Sequence, residues 1–272
     1  MNVFIEWFKR AVQRLATSYH AARNAVDDFL WQYGWVGGMN RRRLDQLRNT
    51  CLGKRCFVIG NGPSLTIADL RCLRNEISIG CNGLFLFFKE MGYLPTFYTV
   101  EDSLVAEDRA EQINSIRGTT KIFPRKLAYC LKQDKSTIYV NFSYDYDDFP
   151  KFSGQFEKVV FWGGTVTFLN LQLAYYLGCS EVYLIGTDHN YQVLHEVGKG
   201  GVIMSTSADI NHFHPEYFGP GFRYHDPKVE RMEKAYRAAL EFASKNGMKI
   251  FNATRGGKLE VFPRVEFERL FE

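Results

Sequence analysis

The sequence lacks long apolar runs and is poor in the residues that interrupt regular structure. Across its 272 residues no stretch of about 18 uncharged apolar residues occurs, so we expect no transmembrane helix. Only 8 prolines and 23 glycines are present, too few for a collagen-like or low-complexity chain. Hydrophobic residues make up 46% and aromatic residues 15%, which excludes a disordered chain and predicts a substantial core.

The six cysteines also lack a recognisable pairing pattern. No CxxC pair and no zinc-ligand spacing occurs among them. Several lie in apolar, strand-like runs, such as Cys56 before Phe57, where cysteine is usually a small core residue. Because no signal peptide precedes the body, we expect reduced thiols and a cytoplasmic protein.

Positive charge is concentrated at one end of the chain. Residues 1–55 contain ten Lys and Arg against four Asp and Glu, a net +6, and the remaining residues contain 24 against 26, a net −2. The nearly neutral body predicts that nucleic acid is not a partner.

Residues 2–32 have the pattern of an amphipathic helix. Apolar residues such as Phe4, Phe8 and Leu15 recur at three- and four-residue spacing, and basic residues occupy much of the opposite face. Such a helix packs on the main domain or on a second copy of the chain in a homo-oligomer. Alternatively, it lies on the anionic inner face of the cytoplasmic membrane as a peripheral anchor. We favour packing, with a break at residues 34–38 and a helical extension over 1–52.

From residue 53 onward, strand-like and helical patterns alternate, which predicts one α/β domain over residues 53–272. The predicted strands are Arg55–Gly60, Ile77–Asn82, Thr96–Glu101, Thr120–Pro124, Thr137–Asn141, Lys158–Trp162, Glu181–Thr187 and Lys249–Asn252. The predicted helices are Ser64–Leu73, Leu104–Ile116, Val166–Leu177 and Pro227–Lys245, the last with Asp226 as its N-cap. We therefore expect a Rossmann-like, mostly parallel sheet flanked by helices. Residues 198–224 show no period and are expected to form a lid.

A glycine turn follows the first predicted strand. Gly60, Asn61 and Gly62 precede Pro63 and Ser64, where a helix is expected to open. Backbone N–H groups and a helix N-terminus at such a turn favour a phosphate site. Leu65 replaces the third glycine of a dinucleotide fingerprint, so a nucleotide of another kind is favoured.

Polar residues also follow the next two strands. Asn82 and Asp102 stand at these strand ends, and carboxyl ends of parallel strands meet at one edge of a sheet. We therefore expect Asn61, Asn82 and Asp102 to converge on one site.

Two blocks together resemble known proteins. The Gly60–Leu65 turn with Cys81–Gly83, and the Gly178–Asp188 segment, are similar to the bacterial sialyltransferases of glycosyltransferase family 42. They are equally similar to the related DUF115 family, which includes motility accessory factors and archaeal MptE-like 6-hydroxymethylpterin pyrophosphokinases. The resemblance covers roughly residues 53–262.

The resemblance implies a metal-independent transferase with no required cofactor. It would transfer a nonulosonic acid or related sugar from a CMP-activated donor to a glycan or lipid-linked acceptor. The donor-binding residues expected from the turn, the strand ends and the resemblance together are Gly60, Asn61, Gly62, Ser64, Asn82, Asp102, Gly164, Thr165 and Thr167. Asp102 replaces an amide-bearing region of the sialyltransferases. The implied catalytic residues are Asp188, Tyr191 near the leaving phosphate and His225 as general base. The chain departs from the sialyltransferases at the second phosphate-binding tyrosine, where only His195 is near.

Histidine chemistry also favours His225 from the residues themselves. Its ordinary pKa lies near neutral pH, as a general base requires, and it follows the predicted lid. Asp226 beside it would raise the pKa of His225, while the following helix N-terminus would lower it. His212 and His214 form an HxH pair, but no other ligand joins them at a metal-site spacing.

Other functions stay open at this point. A pyrophosphokinase-like enzyme would use ATP and Mg²⁺ at the same glycine turn, with acidic side chains holding the metal. The Asp145–Asp148 stretch contains a DxD pattern that binds Mn²⁺ or Mg²⁺ in many transferases, although a solvated loop is favoured. A non-catalytic binding module is the third possibility.

Overall fold

A computed structural model describes residues 35–192, 197–198 and 201–272 of the chain. The predicted amphipathic helix at 2–32, with its proposed membrane contact, and His195 lie outside the described residues. The first described helix, α1, extends over Trp35–Leu47. The predicted break at residues 34–38 is therefore wrong at Gly37 and Gly38, since a glycine costs a helix only about 1 kcal/mol. A separate compact unit extends over Leu47–Glu272.

Strands and helices alternate through this second unit. The strands are β1 (Arg55–Ile59), β2 (Ile77–Cys81), β3 (Phe97–Thr99), β4 (Thr120–Pro124), β5 (Thr137–Val140), β6 (Phe142–Ser143), β7 (Val160–Phe161), β8 (Glu181–Ile185), β9 (Val202–Met204), β10 (Arg223–His225) and β11 (Lys249–Asn252). The helices are α2 (Ile67–Cys72), α3 (Phe88–Met91), α4 (Ser103–Asp108), α5 (Ala110–Ser115), α6 (Val166–Tyr176) and α7 (Val229–Lys245). Short 3₁₀ helices occupy Leu73–Asn75, Asn82–Phe87, Arg125–Tyr129 and Glu268–Leu270. None of the described helices combines the length and apolar character needed to cross a membrane.

Seven strands form one parallel sheet in the order β11-β8-β1-β2-β3-β4-β5. The interior strand β1 is buried on both sides, since Phe57, Val58 and Ile59 are fully buried and successive side chains point to opposite faces. This is why β1 reads as a continuous apolar run rather than an alternating one. The predicted α/β, Rossmann-like fold with a mostly parallel sheet is confirmed.

Strand order reverses beside β1. The chain moves outward from β1 to β5 on one side and then returns to β8 and β11 on the other. In parallel sheets, ligands bind beyond the carboxyl ends of the strands near such a reversal. The edge of the sheet that carries Asn61 and Asp188 is therefore where a site is expected.

Four predicted elements differ from the structure. The helix predicted at Ser64–Leu73 begins only at Ile67, with Thr66 at its N-cap, and the helix predicted at Leu104–Ile116 is divided at Arg109 into α4 and α5. The strand predicted at Lys158–Trp162 is only β7, which pairs with β6 in a separate two-stranded sheet. Helix α7 begins at Val229 with Lys228 at its N-cap, so Asp226 does not cap it. The backbone N–H of Asp226 donates to Gly201 O (2.9 Å), and its carboxylate pairs with Lys228. These contacts hold Asp226 in the loop ahead of the helix.

The predicted lid at 198–224 is more ordered than its sequence indicated. Strands β9 and β10 pair antiparallel and close the base of the segment. Arg223 forms ion pairs with Asp108 (2.5 Å) and Glu107 (2.9 Å), and the Arg109 guanidinium donates to the carbonyl oxygens of Glu216 and Tyr217. Strands of three residues are too short to produce a visible period, so the sequence did not reveal them.

Candidate active site at the carboxyl ends of the strands

A cavity of about 570 Å³ opens at the carboxyl ends of β1, β2, β3 and β8. Eleven of the predicted site residues line it: Gly60, Asn61, Gly62, Asn82, Asp102, Gly164, Thr165, Thr167, Asp188, Tyr191 and His225. Ser64 is not part of the lining. Residues far apart in the sequence thus meet at one site, because parallel strands place their carboxyl ends along one edge.

A histidine–aspartate pair lies in this cavity. The imidazole Nδ1 of His225, on β10, is 3.0 Å from Oδ2 of Asp102, which follows β3. The other carboxylate oxygen, Oδ1, accepts the Leu104 N–H at 2.8 Å and caps helix α4, which fixes the carboxylate in place. The hydrogen bond to Asp102 raises the pKa of His225. The partner of His225 is therefore Asp102, and not the neighbouring Asp226 considered from the sequence.

The Gly62 and Ser64 donors of the glycine turn are already satisfied within the protein. Gly62 N–H donates to Gly186 O at 2.7 Å, and Ser64 donates its N–H (3.2 Å) and hydroxyl (2.8 Å) to the Asp188 carboxylate. Burial raises the pKa of Asp188, and the Ser64 bonds act in the opposite direction. A carboxylate thus takes the position expected for a phosphate, so the predicted phosphate contacts of Gly62 and Ser64 do not fit this arrangement.

The same contacts explain the two glycines. A Cβ added at Gly60 would overlap the Gly186 carbonyl, and one added at Gly62 would overlap the Asp188 carboxylate. Neither glycine has a positive φ. They are needed because the first turn packs directly on the loop after β8, rather than for approach to a ligand.

The two asparagines have different surroundings. The Asn61 amide donates from Nδ2 to Cys81 Sγ at 3.2 Å, and Asn61 O accepts the Phe213 N–H at 2.9 Å. Asn82 has a φ of 46°, and its carbonyl oxygen accepts a hydrogen bond from the Tyr98 hydroxyl. Both amide oxygens lack a partner among the described residues. Both asparagines therefore line the cavity, and each has a buried amide oxygen that no described donor satisfies.

The start of helix α6 contributes small residues and a neighbouring cation. Thr165 caps the helix by accepting the Thr167 N–H at 3.3 Å, and Gly164 has a φ of 83°. The guanidinium of Arg231 lies over the rings of Phe149 (4.5 Å) and Trp162 (4.2 Å).

Arg231 is placed to meet an anion. A Cβ built on Gly164 would contact its side chain at 3.6 Å, and no ion pair within the described part of the chain involves it. An arginine that lies over two aromatic rings and has no ion-pair partner among the described residues can bind a phosphate in two-pronged geometry.

Three side chains beside β3 and β4 were not singled out from the sequence. Glu101 is buried, and burial, followed by the charge of Asp102, raises its pKa to about 8. The Lys126 ammonium lies 3.3 Å from the ring centre of Tyr144, and burial lowers the pKa of Lys126. The Tyr144 hydroxyl donates to the Glu101 carbonyl at 2.9 Å.

A second histidine–aspartate pair faces the same cavity. His212 Nδ1 is 2.7 Å from Asp209 Oδ2, and the imidazole stacks on Tyr217 at 4.0 Å. Burial raises the pKa of Asp209, but the bonds from His212 and two backbone N–H groups outweigh this and leave it lowered. His212 is therefore hydrogen-bonded to Asp209, as a histidine that transfers protons often is to a carboxylate. The other histidine of the HxH pair, His214, accepts the Glu216 N–H, so the two imidazoles do not share a partner.

Tyr191 and His189 lie on the loop after β8. Burial raises the pKa of the Tyr191 hydroxyl, which therefore keeps its proton as a hydrogen-bond donor. His189 Nε2 is 3.6 Å from Glu233, and burial lowers the pKa of His189. Tyr191 is thus chemically suited to the phosphate contact that the resemblance implies.

Among the described residues, the acidic side chains at the strand ends have other partners. Asp102 is bound to His225 and a helix cap, Asp188 is bound to Ser64, and no group of three or more His, Cys, Asp or Glu able to hold a metal occurs in the described residues. The DxD carboxylates Asp145 and Asp147 are exposed and do not line the cavity.

The functional candidates that the sequence did not single out were missed for different reasons. Glu101 stands next to Asp102 at a strand end and could have been found there. Arg231 lies in the first turn of α7, three residues after the N-cap Lys228, and both line the cavity. No local signal pairs His212 with Asp209 beyond their three-residue separation.

Comparisons with known proteins bear on this fold. A family model described as 6-hydroxymethylpterin diphosphokinase MptE-like matches residues 37–193, more than half of the chain. A MAf glycosyltransferase from Magnetospirillum magneticum AMB-1 is similar in structure, with 15% identity and a TM-score of 0.47. That alignment covers 90% of this chain and 42% of the other, so the chain spans well under half of that protein's length.

A mammalian sialyltransferase solved with Gal-beta-1-3GalNAc-ortho-nitrophenol aligns at 16% identity and a TM-score of 0.30, over 80% of this chain and 79% of its own. No curated protein matches the sequence of the chain.

Proposed function

The chain belongs to the 6-hydroxymethylpterin diphosphokinase MptE-like family, and we propose that within this family it acts as a glycosyltransferase. It would transfer a nonulosonic acid or related sugar from a CMP-activated donor to a glycan or lipid-linked acceptor, without a divalent metal. The observation that carries the proposal is the His225–Asp102 pair inside a 570 Å³ cavity, a general base with a fixed orientation.

The base acts through its second ring nitrogen. With Nδ1 directed at Asp102, Nε2 of His225 accepts the proton of the acceptor hydroxyl while that oxygen attacks the anomeric carbon. The bond from the anomeric carbon to the phosphate oxygen breaks, and its electron pair leaves with the nucleotide. Attack opposite the leaving group inverts the anomeric centre.

The departing phosphate requires a positive or hydrogen-bonding partner. Because the glycine-turn donors are engaged by Gly186 and Asp188, we assign this role to Arg231 and the Tyr191 hydroxyl. Thr165 and Thr167, at the start of α6, would hold the phosphate or the sugar beside Arg231. The segment between β9 and β10 would exclude water, which otherwise hydrolyses an activated donor.

A diphosphotransferase is the second candidate, and the family description favours it. That reaction uses ATP and Mg²⁺, and the carboxylates at the strand ends are engaged elsewhere or buried. The described donor set therefore fits metal-dependent transfer less well than metal-independent transfer.

Ligand-induced stabilisation separates the two candidates. Thermal unfolding is measured with CMP, UDP, ADP and ATP, each with and without Mg²⁺. A ligand at a hundred times its Kd stabilises by about 2.7 kcal/mol, which raises Tm by several degrees. Stabilisation by CMP without metal supports the glycosyltransferase, and stabilisation by ATP with Mg²⁺ alone contradicts it.

The base is tested by His225→Gln. General-base catalysis contributes about 10²- to 10⁴-fold, so transfer should fall by that factor. His214→Gln is the matched control, because His214 lies on the same segment but does not line the cavity. Full activity in His225→Gln would remove His225 from the mechanism.

Membrane contact through residues 2–32 stays a proposal based on charge. Sedimentation of the full chain with anionic vesicles is compared with a variant in which Lys9, Arg10 and Arg14 are changed to Gln. A polybasic contact contributes about 1 kcal/mol per charge, so the variant should stay in solution. Equal sedimentation of both proteins would favour a helix that packs on protein.

A further inference from the structure

His212 is held in one orientation by its neighbours on the segment between β9 and β10. Its Nδ1 is 2.7 Å from Oδ2 of Asp209, and its ring lies parallel to the Tyr217 ring at a centroid distance of 4.0 Å. The ring of Phe218 stands perpendicular to it at 5.2 Å. The Asp209 side chain is itself only 5% exposed and also accepts the backbone N–H groups of Asn211 and Phe218. The carboxylate is therefore fixed in place, and it fixes the imidazole.

Tyr217, on which His212 stacks, has its own fixed position. Its ring packs directly on Gly83, where an added Cβ would overlap it. Its carbonyl oxygen accepts a hydrogen bond from the Arg109 guanidinium at 3.2 Å, and the residue is only 4% exposed. Neither contact depends on His212, so another ring at position 212 can stack on the same surface.

The chain is bonded to the walls of the cavity on both sides of His212. The Asn211 side chain accepts the Gln192 N–H at 2.7 Å and donates to the Gln192 carbonyl oxygen at 2.8 Å. On the other side, the Phe213 N–H donates to the Asn61 carbonyl oxygen at 2.9 Å. His212 thus lies between the loop after β8 and the glycine turn.

Nε2 is the part of this imidazole that is left for a ligand. His212 lines the cavity, with 16% of its side chain exposed. Asp209 engages Nδ1 and Tyr217 covers one face, while no hydrogen bond to Nε2 occurs within the described part of the chain. Because a carboxylate accepts the Nδ1 hydrogen, it supports the positive charge of the ring when Nε2 also carries a proton.

Two contacts indicate what the charged imidazole would meet. Tyr191, which we assign to the departing phosphate, directly precedes Gln192, the residue bonded to Asn211. Burial raises the pKa of Asp188, and the charge of His212 is one of the influences that oppose it, so these two side chains interact. The imidazole therefore lies beside the loop that carries the proposed phosphate contact.

We propose that His212 is a second catalytic residue, which donates a hydrogen bond from Nε2 to the departing phosphate. The inference rests on the proposed function, because it adds a residue to that reaction. When the bond from the anomeric carbon to the phosphoryl oxygen breaks, the oxygen keeps the electron pair. The charged imidazole offsets this negative charge and keeps its own proton, while His225 takes the proton of the acceptor hydroxyl. Each histidine–aspartate pair thus serves one partner of the reaction.

Transfer kinetics give the first test. Removing one hydrogen-bond donor of this kind lowers kcat by about 10²- to 10³-fold, so His212→Phe should show this loss with little change in the KM of the acceptor. Phe is chosen because it keeps a ring on Tyr217 and removes both nitrogens. His214→Gln is the matched control, since His214 lies two residues away and does not line the cavity. A His212→Phe protein with the kcat of wild type would overturn the proposal.

The second test uses wild-type protein and follows the imidazole itself. The Cε1–H resonance of His212 is assigned by its loss in His212→Phe and recorded with CMP and with cytidine. CMP should shift it and cytidine should not, because only CMP carries a phosphate, and His214 should respond to neither. No shift with bound CMP, or equal shifts with both ligands, would overturn the proposal even if His212→Phe is inactive because it fails to fold.

Failure of the proposed function gives a different pattern. If CMP binds and His212 does not respond, the phosphate contact is wrong while the glycosyltransferase stands. If ATP with Mg²⁺ binds and CMP does not, the glycosyltransferase is contradicted, and the same comparison is made with ATP and adenosine. A response to ATP alone supports the contact between His212 and a phosphate, and no response overturns it. A chain that binds no nucleotide contradicts both.

Discussion

Replacing Asp102 by Asn should lower the pKa of His225 by a measurable amount. The two side chains meet at 3.0 Å, and the His225 side chain is 48% exposed, so solvent screens their attraction. Opposite charges about 4 Å apart in water attract by about 1 kcal/mol, and about 1.4 kcal/mol corresponds to one pKa unit. Removing the charge should therefore lower the pKa of His225 toward its ordinary value.

Asn is the appropriate replacement because its side-chain oxygen can still accept the Leu104 N–H that Asp102 accepts now. The structural role of the cap is thus kept while the charge is removed. A change in His225 titration then reports the electrostatic contact and not the loss of a helix.

The assay is the NMR titration of the six histidines, with His225 assigned from His225→Gln. Asp226→Asn is the matched control, because Asp226 is adjacent in sequence but pairs with Lys228. We expect wild-type His225 to titrate above its ordinary pKa of about 6.5, Asp102→Asn to titrate lower, and Asp226→Asn to change little. An equal or larger effect of Asp226→Asn, or no effect of Asp102→Asn, would refute the reasoning.

A general base must be unprotonated, so the raised pKa of His225 determines how the reaction rate depends on pH. Transferase activity should fall as pH decreases through the pKa of His225, and this fall should begin at a lower pH in Asp102→Asn. The plateau at high pH should also be lower in the variant, because Asn orients the imidazole less firmly than a carboxylate does.

Three further outcomes are expected. Gly62→Ala should lower the free energy of unfolding, measured in urea, by about 1–3 kcal/mol, because the added Cβ overlaps the Asp188 carboxylate. Gly154→Ala is the control and should have less effect, so equal losses in the two variants would contradict this packing. Because the pKa of Glu101 is raised to about 8, its contribution to stability is fully present below the unfolded-state pKa and declines as pH rises toward 8. The wild type should therefore lose a few kcal/mol relative to Glu101→Gln between pH 5 and pH 8, and parallel stability curves would contradict the buried neutral acid. Arg231→Lys should weaken CMP binding about tenfold or more, because Lys cannot reproduce a planar two-pronged contact with a phosphate. Binding of cytidine, which has no phosphate, should be unaffected. Equal losses for both ligands would contradict the phosphate role of Arg231.

The positions of most strands could be predicted because each central strand is a buried, continuous apolar run that ends in a polar residue. Asn61, Asn82 and Asp102 were predicted together on this basis, and the parallel sheet brings all three to the cavity. The strand at Lys158–Trp162 was misplaced because an apolar run of this length does not reveal its pairing partner. Here that partner is Phe142–Ser143 and not the main sheet.

The partners of the polar side chains could not be predicted, because they are set by tertiary contacts. Asp102 and His225 are 123 residues apart, and Ser64 and Asp188 are 124 apart. From sequence neighbours alone, Asp226 was expected to act on the pKa of His225, and Ser64 was expected to bind a ligand. Glu101 looked like an ordinary strand-end acid, and only its burial gives it a raised pKa.

The bond between Asp188 and Ser64 has a consequence for any phosphate that approaches the glycine turn. The carboxylate is an internal anion that the loop after β8 holds against the Ser64 N–H and hydroxyl. A free phosphate could bind these donors only by displacing it. Specificity for a nucleotide would then come from the groups deeper in the cavity, and the turn would serve as a rigid wall that phosphate alone does not occupy.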